Sequence, residues 1–292
     1  MTLKQYPWPV VPPFNQSPKW NGSTFILNEK CTRVISYDVN SSHWSESLTS
    51  MHEDFSGRDH PIERISRNWA LKSMKLAALK SIIMDVGCSS GFFIDDLKVK
   101  LPESEIIAAD YIIGPLLSLA NRTSNFPILQ FDLRNCPLPD DSIDAITCLN
   151  VLEHIDDDKK ALSEIFRILK KDGIVHMEVP AGAKLYDIYD EHLMHHRRYS
   201  QRQLIKLAQS VGFKVLYTTH LGFLAYPAFW FIKKKNQKLV SLTENERFNR
   251  VSRQINKTHK SILLNIIFKT EFILSKFIRF PVGIRVIAVL RK

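Results

Sequence analysis

Cysteine is scarce in this chain. The 292 residues hold four, Cys31, Cys88, Cys136 and Cys148, and no two of them form a C-x-x-C pair. That scatter argues against a zinc or dithiol-redox motif and fits reduced thiols in a cytosolic compartment. The N-terminus lacks the charged start and apolar centre of a signal peptide and carries prolines and aromatics instead, so no export signal is read and a cytoplasmic location is expected. Neither of the two apolar segments near the C-terminus reaches the ~20 residues needed to span a bilayer. Acidic residues are nearly missing from Ala225 to Lys292, where Glu244, Glu246 and Glu271 stand against 15 Lys and Arg. The first 224 residues hold 25 basic and 27 acidic groups, so the net charge of +10 belongs to the tail. Such asymmetry points to nucleic acid, an anionic membrane or an acidic substrate. No nucleic-acid motif is present and the tail's aromatics are not interleaved as a stacking platform, so no nucleic-acid partner is expected.

What is present is an ordinary globular composition, 45% hydrophobic and 24% charged, enough for one large domain with an inserted or appended piece. Its organising stretch is Ser81 to Phe93, an apolar run ending in Asp85, then a turn with Gly87 and Gly91, then apolar residues that open a helix. From there strands and helices alternate, the mark of a parallel sheet covered on both faces. Strands are expected at Ile82 to Val86, Glu105 to Asp110, Ile128 to Asp132, Ile143 to Leu149, Ile174 to Pro180, Lys214 to Thr219 and Ile284 to Leu290. Helices are expected at Ile62 to Leu79, Phe92 to Lys100, Pro115 to Asn121, Asp157 to Leu169 and Gln201 to Ser210, with Gly173 stopping the fourth. His60 to Arg64 reads either as a site or as a helix start with Pro in its first turn. Residues 1–60 are expected as an irregular arm or cap, with a short strand at Arg33 to Asp38.

The loop Gly87-Cys88-Ser89-Ser90-Gly91 is G-x-x-x-G, not the G-x-G-x-x-G of a dinucleotide site, and a carboxylate at its mouth repels phosphate and suits a cation. Asp110 and Asp132 follow at the ends of the next two expected strands, and Asn150-Val151-Leu152-Glu153-His154 follows the fourth. Together these resemble the class I S-adenosylmethionine-dependent methyltransferases, from about Ser81 to Phe213, with Ser89 at the place of the motif's middle glycine. The resemblance implies a Rossmann-like α/β fold with a seven-stranded, mostly parallel sheet, helices on both faces and an antiparallel last strand. It implies S-adenosylmethionine as cofactor, held by Asp85, Gly87, Cys88 and Gly91, with Asp110 and Tyr111 at the ribose, Asp132 and Leu133 near the adenine, and Asn150 beside them. The core is expected over 61–224 and 280–292.

The segment Asp190 to Ser200 carries His192, His195 and His196 beside Arg197 and Arg198, at the strand ends where open α/β sheets bind ligands. His195 and His192 are the candidate general bases, with His154 a third. The bland alternative is that Arg198 and Tyr199 brace the loop while the histidines sit in water. His192 and His195 with Asp190 or Glu191 also have metal-ligand character, but no second ligand pair accompanies them, and no metal is expected.

Residues 225–279 are expected as a basic, amphipathic helical insertion before the last strand. In Ser261 to Ile278, Asn265, Lys269 and Lys276 share one face, with Leu263, Ile266, Ile267, Ile273, Leu274 and Phe277 opposite. Such an element suits an anionic membrane surface, at ~1 kcal/mol per basic residue near it, or a lid over a greasy or lipid-linked acceptor, or plain packing. The expected activity is methylation on oxygen of a small-molecule, sugar or lipid-linked acceptor. Its rivals are a non-catalytic relative that binds the cofactor weakly and a nucleic-acid-binding protein using the tail.

Overall fold

The computed structural model describes residues 2–37, 58–122, 125–237, 246 and 261–292. Strands β1 (Lys19–Trp20), β2 (Phe25–Leu27) and β3 (Lys30–Thr32) form a small antiparallel sheet, and β4 (Val34–Ser36) joins the main one. The main sheet continues with β5 (Ile82–Val86), β6 (Glu105–Asp110), β7 (Ile128–Gln130), β8 (Ile143–Leu149), β9 (Leu169–Pro180), β10 (Lys214–Leu221) and β11 (Arg285–Arg291). Its order is β10-β11-β9-β8-β5-β6-β7-β4, parallel except at β11, which runs antiparallel to both neighbours. The seven expected strands are all there, and the N-terminal arm adds an eighth at the edge beside β7.

All five residues of β5 are buried, as expected of a central strand covered on both faces. Alternation along it splits the core, with Ile82, Met84 and Val86 in one layer and Ile83 in the other. The first layer also takes in Leu3, Tyr6, Trp8 and Phe25, so the arm is less irregular than its sequence suggests. Tyr6 Oη lies 2.7 Å from Ser142 Oγ and ties the arm to the turn before β8. The second layer is sealed by helix Pro61–Met74 through Ile65, Trp69, Leu71 and Met74.

Gly173 does not end a helix. Helix Asp158–Ile168 stops before it, Leu169 is already paired with Ile143, and Gly173 lies inside β9. A Cβ at Gly173 would come within 2.6 Å of Leu169 Cγ and 2.8 Å of the Lys170 carbonyl oxygen, so close approach of the chain to itself demands the glycine.

The apolar run Leu221 to Ile232 is divided between the end of β10 and helix Tyr226–Asn236. Helix Ile262–Leu274 follows. Phe268, Glu271 and Ser275 face inward, while Leu263, Ile266, Ile273 and Phe277 are exposed. Leu264 and Phe272 pack with Phe268 into the second core layer, Lys269 and Lys276 stay exposed, and Glu271 accepts from the Gly222 and Leu224 amides at 2.6 and 3.0 Å, where β10 has run out of sheet partners. Asn265 accepts from Arg64 Nη2 at 2.7 Å. Among the described residues no helix is long and apolar enough to cross a membrane.

Candidate active site

The chain leaves β5 at Val86 and turns in a loop whose two glycines have no room for a side chain. Gly87 has φ +75°, and a Cβ there would lie 2.2 Å from Val151 Cγ2. Gly91, at φ +74°, starts helix Phe92–Lys100. Between them Ser89 adopts φ +47°, a conformation L-residues seldom take, and its amide donates to Asp110 Oδ2 at 2.9 Å. The serine in place of a motif glycine thus keeps the glycine-type backbone.

This loop floors a cavity of about 900 Å³ whose lining includes Asp85, Gly87, Cys88, Asp110, Tyr111, Asp132, Leu133 and Asn150. Gly91 is not in the lining; it stands behind, at the helix start. Asp85 is buried, accepts from Thr147 Oγ1 at 2.6 Å, and burial pushes its carboxyl up to about 7. Asp110 also accepts from the Ile112 amide at 2.9 Å, which fixes its carboxylate at the strand end. Asp132 accepts from the Arg134 amide at 2.8 Å and from its guanidinium Nη2 at 2.6 Å, so this acid is more heavily engaged than a bare strand-end carboxylate. Asn150, at φ +53°, donates its amide to the Glu178 carbonyl at 2.9 Å.

The lining also takes in Glu153, His154 and His195, while His192 is outside it. His195 Nδ1 is 2.8 Å from Asp190 Oδ1. An ionised carboxylate only accepts, so the ring proton sits on Nδ1 and Nε2 is the basic nitrogen. Burial keeps His195 below the ordinary imidazole range. Burial opposes ionisation of Asp190 too, but the His195 hydrogen bond and the charges of Arg198 and Lys233 hold its carboxyl well below the usual range. Arg198 Nη1 donates to Asp190 Oδ1 at 2.8 Å, and Lys233 Nζ donates to Asp187 Oδ1 at 2.6 Å and to Asp190 Oδ2 at 2.8 Å. Arg198 and Tyr199 do brace this loop, the latter donating to Asp158 Oδ2 at 2.8 Å.

Glu153 is buried at the cavity wall, and burial raises its carboxyl to about 8, which keeps it protonated at neutral pH. Its Oε2 has no hydrogen-bond partner among the described residues. Ligand atoms of Glu153, His154 and His195 lie within 4.8 Å of one another, a spacing able to hold a metal ion. The set weighed from the sequence is not assembled, because Asp190 already occupies His195 Nδ1 and His192 stands apart.

Sequence reasoning missed Arg134 and Lys233, named Glu153 only within a motif, and weighed Asp190 only as a metal ligand. Glu153 was visible in the same five-residue stretch as His154, whereas nothing local marks Lys233, 43 residues from Asp190 in the chain. At His60 to Arg64, Pro61 opens the helix, and His60 and Glu63 are among the residues that line the cavity.

Residues 84–177 match the model of a methyltransferase domain family. That stretch of the chain is a methyltransferase domain. Its sequence is 27% identical over 135 residues to a probable S-adenosylmethionine-dependent methyltransferase of Mycolicibacterium smegmatis, covering 46% of this chain and 52% of that one. It is 28% identical over 143 residues to a demethylmenaquinone methyltransferase of Deinococcus radiodurans, covering 44% and 59%. The chain therefore spans between about half and three fifths of the length of these relatives. The fold of the methyltransferase domain is shared with Haemonchus contortus phosphoethanolamine N-methyltransferase 2, solved with S-adenosyl-L-methionine, at TM-score 0.59 and 13% identity over 85% of this chain and 57% of that one.

Proposed function

We propose that this protein transfers a methyl group from S-adenosylmethionine to an oxygen of a small, sugar or lipid-linked acceptor. The observation that carries this reading is one cavity lined by both the Gly87 loop and the Asp190-backed His195. The residues fit the cofactor. Asp85 supplies negative charge at the loop mouth for a cationic amino-acid end, Gly87 admits a ligand against the backbone, and Asp110 stands at the strand end for ribose hydroxyls. Buried Ile112 and Leu133 give an apolar seat beside Asp132 for an adenine ring.

The bound cofactor supplies a sulfonium methyl group ready for in-line displacement, so positioning dominates and a base matters only where the acceptor must lose a proton. In this reading His195 Nε2 takes that proton from an acceptor hydroxyl, and Asp190 stabilises the imidazolium that results. Glu153, protonated, donates a hydrogen bond to the acceptor. Phe229 and Phe268, from the two inserted helices, line the cavity and exclude water. The relative named demethylmenaquinone methyltransferase supports a lipid-like acceptor.

Calorimetry with S-adenosylmethionine and with its demethylated product tests the reading on the full chain. Saturable binding of both, abolished in Gly87→Ala, is expected; binding of neither would sink it. The spacing of Glu153, His154 and His195 favours a second reading, in which a metal ion rather than a free base activates the acceptor oxygen. Stoichiometric metal in elemental analysis of the purified protein would favour it, and its loss in His154→Ala would locate it.

A further inference from the structure

Helices Tyr226–Asn236 and Ile262–Leu274 line the cavity with one side, through Phe229, Ile232 and Phe268. Their other sides bear large apolar residues in water: Phe231 is 65% exposed, Ile262 76%, Leu263 66% and Phe277, just past the second helix, 84%. Isolated exposed hydrophobics are ordinary; so many on two neighbouring elements are not. The second helix is apolar on both sides: Leu264, Phe268 and Phe272 pack inward, while Glu271 and Asn265 anchor it to the Gly222 and Leu224 amides and to Arg64.

The charges beside these faces have one sign. Lys234 and Lys235 close the first helix, and Lys269, Lys276 and Arg279 lie in or just after the second. The connecting sequence 238–260 reads six Lys and Arg against Glu244 and Glu246. An apolar surface rimmed by cations complements a bilayer with anionic headgroups, hydrocarbon against the acyl boundary and ammonium groups against phosphate. Ile232 is both 45% exposed and part of the cavity lining, so the apolar surface runs into the cavity mouth.

We infer that the outward faces of these two helices dock on the surface of an anionic lipid bilayer, which sets the cavity mouth against the membrane where a lipid-linked acceptor resides. The inference deepens the acceptor class proposed above but is tested apart from catalysis. Flotation of the full chain with mixed phosphatidylcholine and phosphatidylglycerol vesicles is expected to carry the protein up. Pure phosphatidylcholine, or high salt, should weaken recovery strongly. The double variant Phe231→Ser and Phe277→Ser, both solvent-facing and outside the cavity lining, should bind the anionic vesicles at least ~10-fold more weakly.

Calorimetric binding of the demethylated cofactor in the same preparations keeps the two readings separate. Absence of flotation with cofactor binding intact overturns the docking alone. So does a wild-type dimer in analytical ultracentrifugation that the double variant dissolves without any vesicle binding, which would assign the faces to a second copy. Strong hydrogen-exchange protection of 262–278 without vesicles, joined to no flotation, would assign them to the chain's own residues 238–260.

Discussion

Lys233 Nζ lies 2.8 Å from Asp190 Oδ2, and through that bond a helix inserted between the last two strands reaches the carboxylate that orients His195. Both partners are buried, Lys233 at 4% and Asp190 at 0% exposure, so the pair is not a surface ion pair of small consequence.

Lys233→Met removes the ammonium and leaves Asp187 and Asp190 buried with less countercharge. Breaking a buried pair from one side costs ~3–5 kcal/mol. Differential scanning fluorimetry should show a clear fall in Tm, while calorimetric affinity for the demethylated cofactor stays within ~2-fold because the Gly87 loop is untouched. An unchanged Tm would mean that the inserted helix is not held by this bond.

The two candidate bases separate cleanly in geometry. His195→Ala should slow methyl transfer by ~10²–10⁴, and Asp190→Asn should follow it in the same direction by freeing the ring tautomer. His192→Ala should stay within a few-fold of wild type. Initial rates with labelled cofactor measure all three, and equal activity of the two histidine variants would remove base catalysis by either. Because burial lowers the His195 pKa, the base is lost only as pH falls through that lowered value, so the acid limb of the rate profile should lie below pH 6.5.

Asp85 titrates near pH 7 because it is buried. A cationic ligand prefers the ionised form, so cofactor affinity should strengthen as pH rises from 6 to 8 across the value of about 7. In Asp85→Asn affinity should be lower and nearly flat over that window. For the ligand-free protein the sign reverses: a raised carboxyl pKa contributes stability fully present below the unfolded value of 3.8 and lost as pH rises through about 7. Urea midpoints of wild type and Asp85→Asn against pH would show the slope that the variant lacks.

Ser89 and Gly87 make opposite predictions within one loop. Ser89→Gly relieves a left-handed serine at φ +47° and should preserve cofactor binding, with a stability change of no more than ~1 kcal/mol either way, since glycine also loosens the unfolded chain. Gly87→Ala forces a Cβ to within 2.2 Å of Val151 Cγ2 and should abolish binding measured by calorimetry.

Much of the core was legible because its signals are local. Strand β5, strand β8 and helix Phe92–Lys100 coincide with their expected limits, since each is a short apolar run bounded by an acid, a glycine or a turn. Strand β7 ends at Gln130 rather than Asp132, whose side chain instead caps the turn Leu133–Asn135. Gly173 misled because a glycine after lysines looks like a helix stop, while its actual reason is contact with Leu169 in a strand. Strand β4 was only partly legible, because a three-residue edge strand carries little pattern of its own and forms by pairing with β7.

The linear order of Asp85, Gly87, Asp110, Asp132 and the Asn150 to His154 stretch was enough to identify the domain and its cofactor class, because each falls at or just beyond the end of a strand and a parallel sheet gathers strand ends on one side. Which histidine faces the cavity, and which side of the last helix faces water, were decided only by the tertiary structure. Both depend on partners distant in the chain: Lys233 on Asp190, and the Gly222 and Leu224 amides beyond the end of β10 that Glu271 accepts from. Helical periodicity reports the faces of a helix, but the packing of Leu264, Phe268 and Phe272 and the bonds of Glu271 to buried backbone amides set which side turned toward the domain.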